Sequence, residues 1–328
     1  MSSNQPSSAP AVMGVLNITP DSFSDGGRFQ DPGRAVEHAV EMLDQGAVVI
    51  DVGGESTRPG ADPVDVADEL SRVIPVIEAL SPVVSERGAR LSIDTRNALT
   101  AGAAVAAGAT LINDVSASLW PTAAELGVGW VAMHMSGDPR TMQANPVYDD
   151  VVDDVRAFLV ERAEAAVDAG VEEVWVDPGI GFGKTTSHNL ELLAHLDVLV
   201  GEGFPVLVGT SRKRFTGELL ARSDLHMNTE PRRAPTGSSA IVPVPVPVPV
   251  PVSERIDGSL ATATWAMQQG AAMVRAHDVL ATVQAAVIVA GGFREHGSPA
   301  DPGRSVDVGT DGARHPLRSS AGVARSGR

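Results

Sequence analysis

Short apolar runs in this chain end repeatedly on side chains that can bind or react. Asn17, Asp94, Asn113, Asp177, Lys213, Arg275 and His277 each stand at or just beyond such a run, and Thr57 with Arg58 lies on a glycine-rich loop behind another. They sort into two chemistries. Asp94, Asn113 and Asp177 can pair with the alternating donors and acceptors of a flat amino-oxo heterocycle, where a buried carboxylate accepts two parallel N–H bonds. Lys213 adds a donor for a ring oxygen or nitrogen. Arg275, His277 and Arg58 offer donors in fork and point form, suited to a phosphate or diphosphate. Asn17 brings an oxygen that could help hold Mg2+ through waters and phosphate oxygens.

Each of these residues also has a plainer reading. Asp177-Pro178-Gly179 is good turn chemistry, so Asp177 alone reads as a turn former or helix cap. Arg58 and Arg214 read as surface ion-pair members, His134 between two methionines as a packed histidine, and Asp51 and Asp114 as residues that cap or orient helices. Gly183-Lys184-Thr185 closes a phosphate-loop pattern, yet Pro178 stands where its first glycine belongs, and the pattern fails by one residue. Recurrence separates the readings. Independent caps would not place so many groups able to bind one ligand behind so many strands.

The elements that must position these groups follow a repeating unit. Val12–Leu16 runs into Asn17 and a turn-rich loop; a helical pattern around Ala35–Leu43 leads to Gly46, then Val48–Val52 and the loop Gly53–Gly60. Leu70–Leu80 is expected to be helical, with a kink at Pro75. Leu91–Asp94, Thr110–Asp114, Trp130–His134 and Val174–Asp177 repeat the strand grammar, and Asp149–Ala169 carries an apolar stripe of Val151, Val155, Phe158, Leu159 and Ala166. Pro205–Gly209 and Ala272–Arg275 complete eight strands. Strands alternating with helices imply a parallel sheet, and eight such units with polar carboxyl ends imply an α/β fold of the (β/α)8 TIM-barrel type.

Composition narrows the function. The chain of 328 residues suits one barrel of about 250 residues plus tails. Its 41 acidic residues outweigh 25 basic ones, for a formal charge of -16, and aromatics make up 4%, so a nucleic-acid surface lacks both charge and stacking partners. A basic cluster in so acidic a protein is the more telling. There is no cysteine, which removes disulfides, thiolate metal sites and a cysteine nucleophile. No histidine pair with a carboxylate has zinc spacing. Neither a signal sequence nor an uninterrupted apolar span is found, so a cytoplasmic protein with no membrane partner is expected.

Residues 1–10 are expected to be flexible and 11–291 to form the barrel, with 223–252 an insertion and 292–328 a disordered tail poor in residues to bury. Within the insertion Val242–Val252 alternates strictly between Val and Pro. Its five prolines fit an extended polyproline II segment of about 34 Å, read as a solvated insertion.

Met13–Gly27 and Asp51–Gly60 resemble the two signature loops of the dihydropteroate synthase family. Ser92–Thr95, Ile112–Asp114, Met133–Met135, Asp177–Lys184, Ser211–Lys213 and Val274–Asp278 extend the resemblance from about Val12 to Val289, the insertion apart. It implies a pterin-binding TIM barrel that joins 6-hydroxymethyl-7,8-dihydropterin diphosphate to 4-aminobenzoate, giving 7,8-dihydropteroate and diphosphate in folate synthesis. It also implies a sulfonamide target and a homodimer. By the same resemblance Asp94, Asn113, Asp177 and Lys213 hold the pterin, with Met133 and Phe182 lining its slot, and Asp94, Asp177 and Lys213 are the catalytic set. Asn17 binds Mg2+ with the diphosphate, Arg275 and His277 hold the diphosphate, and Thr57 closes over 4-aminobenzoate. Many relatives carry Ser where this chain has Arg214, and the insertion before Ser253 is longer than usual. A phosphate-loop hydrolase, a pterin-dependent methyltransferase and a catalytically silent binding paralogue are the competing functions.

Overall fold

The computed structural model describes residues 9–19, 32–55, 63–138, 140–228 and 248–291. Among these described residues eight strands lie parallel: β1 (Ala11–Asn17), β2 (Val49–Gly53), β3 (Arg90–Asp94), β4 (Leu111–Asp114), β5 (Gly129–Met133), β6 (Val174–Asp177), β7 (Leu207–Val208) and β8 (Met273–Ala276). Their order is β6-β5-β4-β3-β2-β1-β8-β7. A single parallel bridge, Val176 to Val206, joins β6 to the approach of β7 and brings the sheet nearly to a closed barrel. Helices fill the connections: α1 (Pro32–Asp44), α2 (Val66–Glu86), α3 (Ala98–Ala107), α4 (Trp120–Leu126), α5 (Val151–Asp168), α6 (Thr186–Ala194), α7 (Leu196–Val200), α8 (Arg214–Asn228), α9 (Ile256–Gln268) and α10 (Val279–Val289). The expected TIM barrel is therefore the fold.

Helix starts follow local chemistry. Asp65 accepts from the Ala67 N–H at 2.9 Å, and Asp150 from those of Val152 and Asp153, both at 3.0 Å, so each carboxylate satisfies donors that the first turn leaves open. Thr185 and His188 form a reciprocal capping box that fixes where α6 begins. α2 runs unbroken from Val66 to Glu86 through Pro75 and Pro82, so the helix extends past both ends expected from the sequence. Both prolines are exposed, seven residues apart on the solvent face, and water can serve the carbonyls whose partners they remove.

Period-two alternation sends every second strand residue inward. Met13, Val49, Leu111, Val131, Leu207 and Met273 form a dry layer inside the barrel, while the larger core lies between sheet and helices. Leu111 is fully buried, and truncating such a residue to Ala costs about 2–5 kcal/mol. Below this layer Arg90 grips both carboxylate oxygens of Glu173 at 2.8 Å, with Trp175 Nε1 donating to Glu173 at 2.7 Å. That closes the amino-terminal end. The next inward residues toward the carboxyl end include Asp51, Asn113 and Arg275, with apolar Val15 and Met133 beside them, and they form the floor of the mouth.

α8 reaches Asn228, beyond the expected start of the insertion at 223, because no proline or glycine interrupts the sequence from Glu218 to Asn228. At the far side of the insertion Val250 is tied to the barrel: its N–H donates to Gly217 O at 3.2 Å and its carbonyl accepts from Arg255 Nε at 2.9 Å. Pro251, at φ -52° and ψ 153°, has polyproline II geometry. Residues 229–247, and with them most of the Val-Pro run, lie outside the described residues, as do residues 1–8 and the tail from 292.

Candidate active site at the carboxyl mouth of the barrel

Strand register sets the site's layout. Asn17 is level with Gly53, Gly53 with Asp94, and Asp94 with Asn113; on the far side Met133 is level with Asp177. The missing side chain at Gly53 matters: a Cβ there would lie 3.6 Å from Asp94 Oδ2 and 3.8 Å from Asn17 Oδ1. The two oxygens thus flank a gap held open by glycine.

At the centre Arg275 is held by two carboxylates. Its Nε donates to Asp51 Oδ2 at 2.6 Å and its Nη2 to Asp94 Oδ2 at 2.7 Å. Asp51 Oδ2 also accepts from Asn113 Nδ2 at 2.9 Å, which fixes the plane of that amide. Asp177 accepts the Gly179 N–H on Oδ1 at 2.7 Å. Lys213 Nζ stands 4.0 Å over the centre of the Phe182 ring, a cation–π contact on the ring's half-buried face. A basic residue beyond β7 and an aromatic beyond β6 therefore share one wall.

The charges in this dry floor perturb one another. Burial pushes the Asp94 carboxyl up to about 7, against the pull of Arg275 and with help from Asp51 and Glu69. Burial likewise raises Asp177, opposed by the Gly179 N–H and by Lys213. Lys213 is lowered to about 8 by burial, with Asp177 resisting. Arg275 is raised, because its two carboxylate partners outweigh its own burial. Functional sites gather groups shifted in this way, and here the shifted groups stand together at the carboxyl end of the barrel.

The loops that aim these side chains are tied down individually. Arg212 adopts a left-handed φ of 58°; its N–H donates to Ser259 Oγ at 2.8 Å and its guanidinium pairs with Asp278, so Lys213 next to it is presented inward. Backbone strain of this kind collects at functional sites. The His277 N–H donates to Ser211 Oγ at 3.1 Å, and His277 Nδ1 lies 3.0 Å from that hydroxyl. Buried Glu69 receives the hydroxyls of Thr95 and Thr100, each at 2.7 Å, and holds the loop after β3 on α2.

Asn17, Asp94, Asn113, Met133, Asp177, Phe182, Lys213, Arg275 and His277 thus all lie at the carboxyl ends of strands or in the loops that follow them, as their spacing implies. Thr57 and Arg58 lie outside the described residues. Asp51 is the residue that sequence reasoning undervalued. Read as a residue that caps or orients a helix, it instead anchors Arg275 and Asn113 from beneath; its inward place in Val49–Asp51–Gly53 was the available signal. Asp114 fits its plain reading, since it gathers the N–H groups of Ser116, Ser118 and Leu119. His134 is packed edge-on to Phe158, and exposed Arg214 pairs with Glu218 at 2.9 Å. Among the described residues no three of His, Cys, Asp and Glu converge as a metal site.

Lys184 decides the phosphate-loop question. It is 2% exposed, and its Nζ is surrounded by His134 Nδ1 at 2.8 Å and the carbonyls of Phe182, Gly179 and His134 at 3.0, 3.1 and 3.3 Å. No phosphate reaches it there. The residue satisfies backbone instead.

A TIM barrel that gathers Asp94, Asn113, Asp177, Lys213 and Phe182 at the carboxyl ends of its strands has the architecture of an enzyme, with these side chains at the end where such barrels carry their active sites. Residues 13–277 match the family model described as pterin binding enzyme. The chain is 43% identical over 288 residues to the dihydropteroate synthase of Escherichia coli, covering 86% of this chain and 91% of that protein. A Yersinia pestis dihydropteroate synthase solved with a sulfonamide drug complex superposes with a TM-score of 0.73 at 41% identity, over 87% of this chain and 94% of that one. The Xanthomonas albilineans dihydropteroate synthase solved with 4-aminobenzoic acid gives 0.71 at 44% identity over 85% and 92%; solved with 7,8-dihydropteroate it gives 0.69 at 42% over the same shares. The chain belongs to the dihydropteroate synthase family of pterin-binding enzymes.

Proposed function

We propose that this barrel condenses 6-hydroxymethyl-7,8-dihydropterin diphosphate with 4-aminobenzoate, forming 7,8-dihydropteroate and diphosphate for folate synthesis, the activity its family is named for. One observation carries the assignment of roles: Asp94 and Asn113 are level on neighbouring strands, and Lys213 lies within electrostatic reach of both Asp177 and Asp94, at the end of the barrel beyond the apolar layer. In this reading Asp177 and Asn113 pair with the amino and ring N–H edge, and Lys213 donates to a ring oxygen or nitrogen. Phe182 and Met133 form the walls of the slot. Asp177, in its ionised form, sets negative charge beside a pterin whose exocyclic carbon becomes cationic as diphosphate leaves, and that stabilises the transition state more than the ground state. No protein nucleophile is required.

Diphosphate departure needs positive charge above the slot. Arg275 Nη1 has no protein partner among the described residues, since Nε and Nη2 serve Asp51 and Asp94, and it supplies a donor beside His277. The gap beside Gly53, flanked by Asn17 Oδ1 and Asp94 Oδ2, suits a hard cation that keeps most of its water. Mg2+ held there through Asn17 would neutralise the leaving diphosphate. Thr57 and Arg58, which follow β2 in the sequence, are assigned to the aminobenzoate and the diphosphate. A cytoplasmic homodimer completes the reading; among the described residues no helix is long and apolar enough to cross a membrane.

The test is product formation from both purified substrates with Mg2+, followed by chromatography. Expected is stoichiometric 7,8-dihydropteroate and diphosphate. Tight pterin binding without turnover would make the chain a binding paralogue, and absence of both would remove the pterin reading.

A further inference from the structure

The loop after β6 presses its backbone against the loop after β5. A Cβ on Gly179 would stand 1.8 Å from His134 O, and one on Gly183 would stand 2.3 Å from Ser136 O; both glycines have φ 63°. Only glycine allows that approach. The contact buries carbonyls from both segments away from water, and a buried carbonyl left without a donor is costly. The three N–H groups of Lys184 lie within reach of four acceptors, the carbonyls of Phe182, Gly179 and His134 and the ring nitrogen His134 Nδ1, so at least one N–H is shared, with His134 O the longest contact at 3.3 Å. Burial lowers both partners, the lysine to about 7 and the histidine to about 3, so the ring is neutral and accepts from the amine.

Two of those acceptors belong to residues that lead into the mouth. Gly179 gives its N–H to Asp177 Oδ1 at 2.7 Å while its carbonyl is held by Lys184 at 3.1 Å. Phe182, held through its own carbonyl at 3.0 Å, carries the ring that Lys213 covers. We propose that Lys184 is a positioning residue of the pterin slot: it never touches the ligand, but it sets the Asp177 carboxylate and the Phe182 ring in the geometry that binds it. This rests on the pterin reading of the mouth. The near-miss phosphate loop in the sequence thus has a use, with its lysine turned into the protein.

Lys184→Met keeps an unbranched flexible side chain, one atom shorter, and removes every donor. Tyr148→Phe is the comparison, because the Tyr148 hydroxyl donates to Gly183 O at 2.8 Å and so supports the same loop through a different carbonyl from those that Lys184 holds. Both variants are expected to unfold at lower temperature than wild type. In Lys184→Met the dissociation constant for the pterin diphosphate, by calorimetry, should rise at least tenfold. The KM for 4-aminobenzoate at saturating pterin should stay within twofold. In Tyr148→Phe both constants should stay within twofold. Lys184→Gln, which restores two N–H donors, should recover part or all of the affinity, and Lys184→Leu takes the place of the methionine variant if that does not fold. Wild-type pterin affinity in folded Lys184→Met or Lys184→Leu would overturn the proposal, as would Lys184→Gln binding no better than they do, or equal loss in Tyr148→Phe. If the wild type itself binds no pterin diphosphate, the site reading fails first and takes this proposal with it.

Discussion

Asp177→Asn tests the heterocycle reading most directly, because it changes one atom and one charge and leaves the shape. Asp177 is 4% exposed, so no water can repair a lost bond. Its Oδ1 is committed to the Gly179 N–H at 2.7 Å. In the asparagine variant the amide oxygen must keep that partner, since the reverse orientation sets NH2 against N–H in a buried place. The NH2 is then turned to the ligand, and an acceptor for a ring-side N–H becomes a donor. Breaking a buried charge-assisted pair of this kind costs on the order of 2–5 kcal/mol. At about 1.4 kcal/mol per decade, that is roughly thirty-fold or more in affinity. A second signature follows from Lys213, held near 8 with Asp177 resisting its fall. Without the carboxylate the lysine loses its proton at lower pH, so the deficit should widen as pH rises from 7 through 8. Calorimetric titration with the pterin diphosphate at pH 6.5, 7.5 and 8.5 reads both effects. Wild-type affinity in the variant would refute the argument; a deficit that does not change with pH would refute the coupling to Lys213.

Asp94, whose folded value is raised from 3.8 to about 7, binds its proton more tightly folded than unfolded. Its contribution to stability is complete below about pH 4 and is lost as pH rises through 7. Asp94→Asn should therefore flatten the decline in melting temperature between pH 4 and 7, and an unchanged slope would count against it. Asn17→Ala should raise the Mg2+ concentration for half-maximal turnover severalfold while pterin affinity without metal stays near wild type; an unaltered Mg2+ titration would take Asn17 out of the metal site. Excising residues 229–247 and joining the ends with a short flexible linker should leave turnover within about threefold, since each doubling of loop length costs only about 0.6 kcal/mol in closure. A folded but inactive deletion variant would show that the segment serves the site.

Eight strand–helix units, their parallel sense and the mouth at which they end were legible in the linear chain. Alternation and apolar runs are local consequences of where side chains must go. The resemblance placed Asp94, Asn113, Asp177, Lys213 and Arg275 together for the same reason: strand ends in a closed barrel share one face. Tertiary structure decided the rest. That Asp51 would anchor Arg275 and Asn113 depends on register between strands distant in sequence, with 224 residues separating Asp51 from Arg275. That Lys184 would turn inward to the backbone of a neighbouring loop, away from a phosphate, depends on two glycines meeting carbonyls 45 and 47 residues away, from 179 to 134 and from 183 to 136. The length of α2 belongs here too, because its prolines are tolerated only on the face that meets water. A local pattern records which way a side chain must point. What it meets there is settled by the pairing and packing of distant segments, and with it whether a charge becomes a ligand, a strut or a surface ion pair.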